Sequence, residues 1–82
     1  MLYVQICNVT VSRLILGSNP FSGFSHQSPE VDMAMRRFFT TNAIKATLRE
    51  AEELGINTFI ARTDFHIMRM LLEYRDEGGQ IQ

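Results

Sequence analysis

"GINTFIARTDFHIMRML", Gly55 to Leu71, reads as a helix stop, a short apolar strand, a polar tip and the start of a new helix. Gly55 suits the left-handed position that ends many helices. "NTFIA" (57–61) is nearly all apolar, the pattern of a parallel strand covered on both faces. Arg62-Thr63-Asp64-Phe65-His66 is the polar tip, where Thr63 or Asp64 can cap a helix with an apolar stripe of Ile67, Met68, Leu71, Leu72 and Tyr74. "EGG" (77–79) stops that helix, and "QIQ" (80–82) begins strand-like alternation again.

The same grammar runs upstream. "LYVQIC" and "VTVSRLILG" are rich in β-branched and aliphatic residues, and Asn8 between them tolerates the positive φ of a tight reversal, so a hairpin precedes a strand at Arg13 to Leu16. Gly17 stops that strand, and "GSNPFSGFSHQSPE" carries the glycine, serine and proline density of a loop. Ser28-Pro29 pairs an N-cap with proline at the first helical position, which predicts a short extra helix over "PEVDMAMRRFF". Thr40, Thr41 or Asn42 caps the next helix; its Ile44, Leu48, Ala51 and Leu54 share one face, with Lys45, Arg49, Glu52 and Glu53 toward water. Strand, helix, strand, helix and strand start form the order of parallel βαβ units. Two such units cannot close a (β/α)8 barrel of about 250 residues. The expected fold class is therefore α/β: the N-terminal βαβα piece of a TIM (β/α)8 barrel, with a hairpin (1–12) plugging its bottom, a first βα unit (13–55), a second (56–79) and the start of a third strand (80–82).

Composition narrows the function classes. The 82 residues are 45% hydrophobic and 21% charged, as in an ordinary globular domain, and the formal net charge is −1 with lysine and arginine dispersed. No basic footprint for nucleic acid or an anionic membrane exists in that pattern. A small-molecule substrate is the expected partner. Cys7, the single cysteine, lies among apolar residues and reads as a buried, inert thiol. Neither a secretory signal pattern nor a run near the ~18 apolar residues of a membrane span occurs, so cytoplasmic residence is expected.

"VSRLILGSNPFSG" (Val11 to Gly23) and "AEELGINTF" (Ala51 to Phe59) resemble the opening of the aldo/keto reductases: an N-terminal hairpin, a Val-Ser-Arg-Leu strand reaching Leu-Gly, and a first helix entering strand two through Gly-Ile-Asn. The resemblance implies a (β/α)8 barrel and NADP-linked carbonyl reduction by an Asp, Tyr, Lys and His set. In that family the Asp directly follows the Gly-Ile-Asn strand and the Tyr lies five residues later. Here those positions hold Ile60 and Phe65. Neither can move a proton to a developing alkoxide, so altered chemistry is implied. The nucleotide phosphates would bind on late barrel strands, and no glycine-rich dinucleotide fingerprint is present in these residues.

Residues just after barrel strands line the face where active sites sit. Arg62, Asp64 and His66 follow strand two and are the candidate catalytic residues; Asn19, Ser22 and His26 follow strand one and are the candidate substrate-binding residues. Arg62 has a fork suited to carboxylate or phosphate, or it is one half of a structural ion pair with Asp64. Asp64 is a base or a helix N-cap. His66 is an acid, base or ligand, or a solvated first-turn residue. Asn19 orients a substrate or forms a turn. His26, Asp64 and His66 together offer an alternative, a divalent-metal lyase, isomerase or hydrolase. A third reading is a non-catalytic piece or interaction module: a strand needing two neighbours, and helices with stripes wider than the sheet, leave edges and apolar surface that favour self-association.

Overall fold

Residues 1–82 are described by a computed structural model. Strands β1 (Tyr3–Ile6) and β2 (Val9–Ser12) pair antiparallel with Ile6 opposite Val9. The positive φ of their two-residue turn falls on Cys7 (54°), not on Asn8. A positive φ at the first central position is what a type II′ turn requires. Because the turn projects from the hairpin tip, Cys7 is exposed, which corrects the expectation of a buried thiol.

Strand β3 is only Leu16–Gly17, later and shorter than the expected Arg13 to Leu16. The Arg13 amide donates to the Leu2 carbonyl (2.8 Å) and the Ser12 hydroxyl to the Leu14 carbonyl (2.6 Å), which keeps those residues on the hairpin. Pairing with β4 (Phe59–Ile60) begins at the Leu16 amide, 3.1 Å from the Thr58 carbonyl, and is parallel, Leu16 beside Phe59 and Gly17 beside Ile60. On the other edge of β4, the Gln82 amide donates to the Asn57 carbonyl (2.9 Å) and the Phe59 amide to the Gln82 carbonyl (2.7 Å). This staggered pair of bonds is the parallel pattern. The C-terminal residues thus bond to the edge of β4 away from β3.

Four helices follow the chain: α1 (Asn19–Ser22), α2 (Pro29–Phe38), α3 (Thr41–Glu53) and α4 (Phe65–Asp76). The Ser28 hydroxyl accepts from the Val31 amide (3.2 Å) and the Thr40 hydroxyl from the Ala43 amide (3.2 Å), so α2 and α3 start where the cap signals place them. Gly55, at φ 91°, receives the chain beyond α3. Ile44 and Leu48 of α3 meet Ile67, Met70 and Tyr74 of α4, with Phe21 and Ile81, in one core cluster. Leu16, Phe59 and Ala61 pack against that same cluster, so both long helices cover one face of the parallel strands. The other face has no cover: Ile60 is 65% exposed, which corrects the expectation of a strand buried on both sides. The result is a small mixed α/β domain of two small sheets and four helices.

Ile44, Leu48, Ala51, Ile67 and Tyr74 are buried as their spacing predicts, while other positions of the helix stripes differ. Lys45 is buried, its ammonium held by Glu73 of α4 (3.0 Å) and by Glu77, the residue that caps the end of α4 (2.6 Å). The Glu77 and then the Glu73 hydrogen bonds raise its pKa above the usual lysine value. A lysine between two facing helices snorkels toward whichever carboxylates line the seam. Conversely Leu54, Met68 and Leu72 are exposed, and Met70 takes the core position instead.

The hairpin closes the N-terminal end of the sheet around one residue. The Asn57 carboxamide accepts from the Ser12 amide (2.8 Å) and donates to the Thr10 carbonyl (3.0 Å), while the Asn57 amide donates to the Ser12 hydroxyl (3.1 Å). Gln82 adds a bond to the same Thr10 carbonyl (2.8 Å), and the Tyr3 hydroxyl donates to the Gly55 carbonyl (2.8 Å). No helix is long and apolar enough to cross a membrane.

Candidate functional site

Parallel strands deliver their following loops to the same end of a sheet, and β3 and β4 do so here. The Ser18 amide extends the ladder to the Ile60 carbonyl (3.0 Å), and the buried Ser18 hydroxyl accepts from the Arg62 amide (2.9 Å). The two loops are thereby stitched together at their roots. Asn19 and Pro20 then start α1, a single turn that Gly23 ends in the left-handed conformation.

That turn aims Ser22 at the second loop. The Ser22 hydroxyl donates to Asp64 Oδ2 (2.6 Å), and Arg62 Nε lies 3.5 Å from Asp64 Oδ1. Asp64 occupies the N-cap position of α4 with extended backbone, yet its side chain makes no capping bond. Its carboxylate is spent on tertiary partners instead. The Ser22 hydrogen bond, aided by the charge of Arg62 and opposed by partial burial, holds Asp64 below the usual aspartate pKa. It therefore stays ionised at neutral pH and is poorly suited to act as a base.

Arg62 is fixed on two sides. Besides Asp64, its guanidinium carbon sits 4.0 Å from the centre of the Phe24 ring. A planar cation over an aromatic face is favourable and orients the fork. The Nη groups make no hydrogen bond within the chain, and Arg62 lines an open cleft of about 530 Å³ together with Ile15, Ser18, Asn19, Pro20 and Ile60.

The histidines are separated. His66 Nε2 donates to the Phe21 carbonyl (3.3 Å), which places the proton of the neutral ring on Nε2 and leaves Nδ1 as an acceptor. His26, at φ 59°, pairs through its own Nε2 with the side-chain Nδ2 of Asn19 (3.3 Å). No group of three His, Cys, Asp or Glu side chains is placed to hold a metal ion, so His26, Asp64 and His66 do not assemble the set that a divalent-metal reading needs. α1, a single turn of four residues, is too short to offer a phosphate-binding helix terminus to a nicotinamide nucleotide.

The expected convergence of the two loops is present, joining Ser22 with Asp64 and Arg62, while Asn19 and His26 form a separate pair at the rim. Ser22 is buried and holds Asp64, so it offers nothing to a ligand. Ser18 and Phe24 carry roles that spacing alone did not assign; position directly after a strand was the signal for Ser18, and nothing marked Phe24. No family model matches this sequence, and neither a curated protein nor a solved structure matches it.

Proposed function

We propose that this chain is the opening βαβα portion of an aldo/keto reductase-like (β/α)8 barrel, and that its strand ends bind a small molecule bearing a carboxylate or phosphate. The observation that carries the reading is the joining of the loops after β3 and β4 through Ser18, Ser22, Asp64 and Arg62 at one end of a parallel sheet. The parallel bonds of Gln82 on the far edge of β4 support continuation of the sheet in barrel order.

In this reading Asp64 and Phe24 are positioning residues that hold the Arg62 fork toward the cleft. Arg62 binds the anionic group in bidentate fashion. His66, whose Nδ1 is an acceptor, takes or returns a proton. With Ile60 and Phe65 in place of the acid and phenol of the reductases, proton transfer would fall to the histidine.

Amide NMR titration of the chain with pyruvate and with inorganic phosphate tests the site. Shifts gathered at Asn19, Arg62 and His66, and lost in Arg62→Ala, are expected. Shifts that persist in Arg62→Ala would refute the assignment. NADPH fluorescence should reveal no micromolar binding to these 82 residues, since the resemblance puts the nucleotide phosphates on late barrel strands and no glycine-rich fingerprint is present here.

A further inference from the structure

The fork of an arginine fits a carboxylate and a phosphate alike, so the choice between them is made by what surrounds it. Arg62 is the one charged residue among the nine that line the strand-end cleft. Its charge is partly neutralised, because Asp64 Oδ1 lies 3.5 Å from its Nε and the Ser22 hydrogen bond keeps Asp64 ionised. Attraction to such a pair grows in proportion to the charge of a ligand, whereas the cost of stripping water from that ligand grows with the square of its charge. A monoanion is therefore favoured over a dianion.

Main-chain donors do not change that balance. The Ser18 amide is spent on the Ile60 carbonyl, the Phe21 and Ser22 amides on the Ser18 carbonyl, and the Arg62 amide on the Ser18 hydroxyl. Pro20 has no amide proton to give. The run of successive free amides that cradles a tetrahedral anion is thus missing between Ser18 and Ser22. Among the side chains, the Ser22 hydroxyl is given to Asp64, and Asn19 Nδ2 pairs with His26. The free Nη edge of Arg62 satisfies both oxygens of a carboxylate, but the further oxygens of a sulfate or phosphate find no donors here.

Building on the proposed strand-end site, we infer that it selects a monocarboxylate over a tetrahedral dianion, and that Asp64 sets this choice. Asp64 then has two effects on a bound anion. It orients the Arg62 fork, and it lowers the charge that the fork presents. Loss of the first weakens every anion alike; loss of the second changes their order.

Amide NMR titrations of the 82-residue chain with pyruvate and with sulfate, at matched ionic strength, separate the two. Pyruvate is expected to bind about tenfold more tightly than sulfate, and the ratio to close to about unity in Asp64→Asn, which keeps an acceptor for the Ser22 hydroxyl. Asp64→Ser, also suited to a helix N-cap position, supplies the same measurement if the asparagine variant does not fold. Sulfate binding as tightly as pyruvate to the native chain would overturn the inference and leave Arg62 a general anion site. A preference that survives these substitutions, with both affinities lowered alike, would overturn it in favour of a purely orienting Asp64. Binding of neither anion, or binding that persists in Arg62→Ala, would remove the strand-end site itself and this inference with it.

Discussion

The two ends of the parallel sheet use similar polar residues for opposite purposes. At the N-terminal end, Asn57 ties the hairpin to the sheet, and its carboxamide both accepts and donates within the chain. At the C-terminal end, Ser22 and Asp64 satisfy one another but leave the Arg62 Nη groups and His66 Nδ1 without partners. A closed polar network stabilises; one with groups left over can also recognise something. Substitutions at the first end should therefore cost stability, and those at the second should alter charge and binding.

Asn57→Ala should show the largest effect. It removes both carboxamide bonds to the hairpin and strands the Ser12 amide, at a cost of about 2–3 kcal/mol in a denaturant melt. A loss as small as a surface substitution would show that the hairpin is not coupled to the sheet.

Gly79→Ala probes the same end from the turn that follows α4. A Cβ there would run into the Tyr74 ring, whose hydroxyl donates to Glu52 and whose pKa burial and that carboxylate push above the usual tyrosine value. Overpacking of about 1–3 kcal/mol is expected, with a changed tyrosine near-ultraviolet signal.

Ser22→Ala sharpens the contrast at the other end. Without the hydroxyl, the Asp64 pKa should rise toward its ordinary 3.8, as read by carboxyl-carbon NMR. A carboxylate whose folded pKa is depressed contributes stability above the unfolded value, and that contribution is lost as pH falls through the folded one. The native chain should thus weaken on acidification below the ordinary aspartate range, and Asp64→Asn should flatten that part of the profile.

His66→Ala should show the smallest effect on the fold. His66 is exposed and makes one long bond to a carbonyl, so its loss should cost under about 0.5 kcal/mol in a melt while reducing the NMR response to pyruvate. A stability loss with full binding would make it a structural residue.

Local chemistry alone determined much of this molecule. Ser28-Pro29 and Thr40 mark helix starts because capping is settled within four residues, and Gly55 marks a stop because only the local φ matters. The order of strands and helices, and the meeting of two strand-end loops, follow from that punctuation and from parallel pairing. Tertiary structure decided what no local pattern encodes: that Lys45 is buried between the carboxylates of Glu73 and Glu77, that Asp64 turns from its own helix to Ser22, that Phe24 lies under Arg62, and that one sheet face is bare. Each depends on partners distant in sequence, or on which side of a two-residue strand the helices pack, and side-chain periodicity has too few residues there to report it.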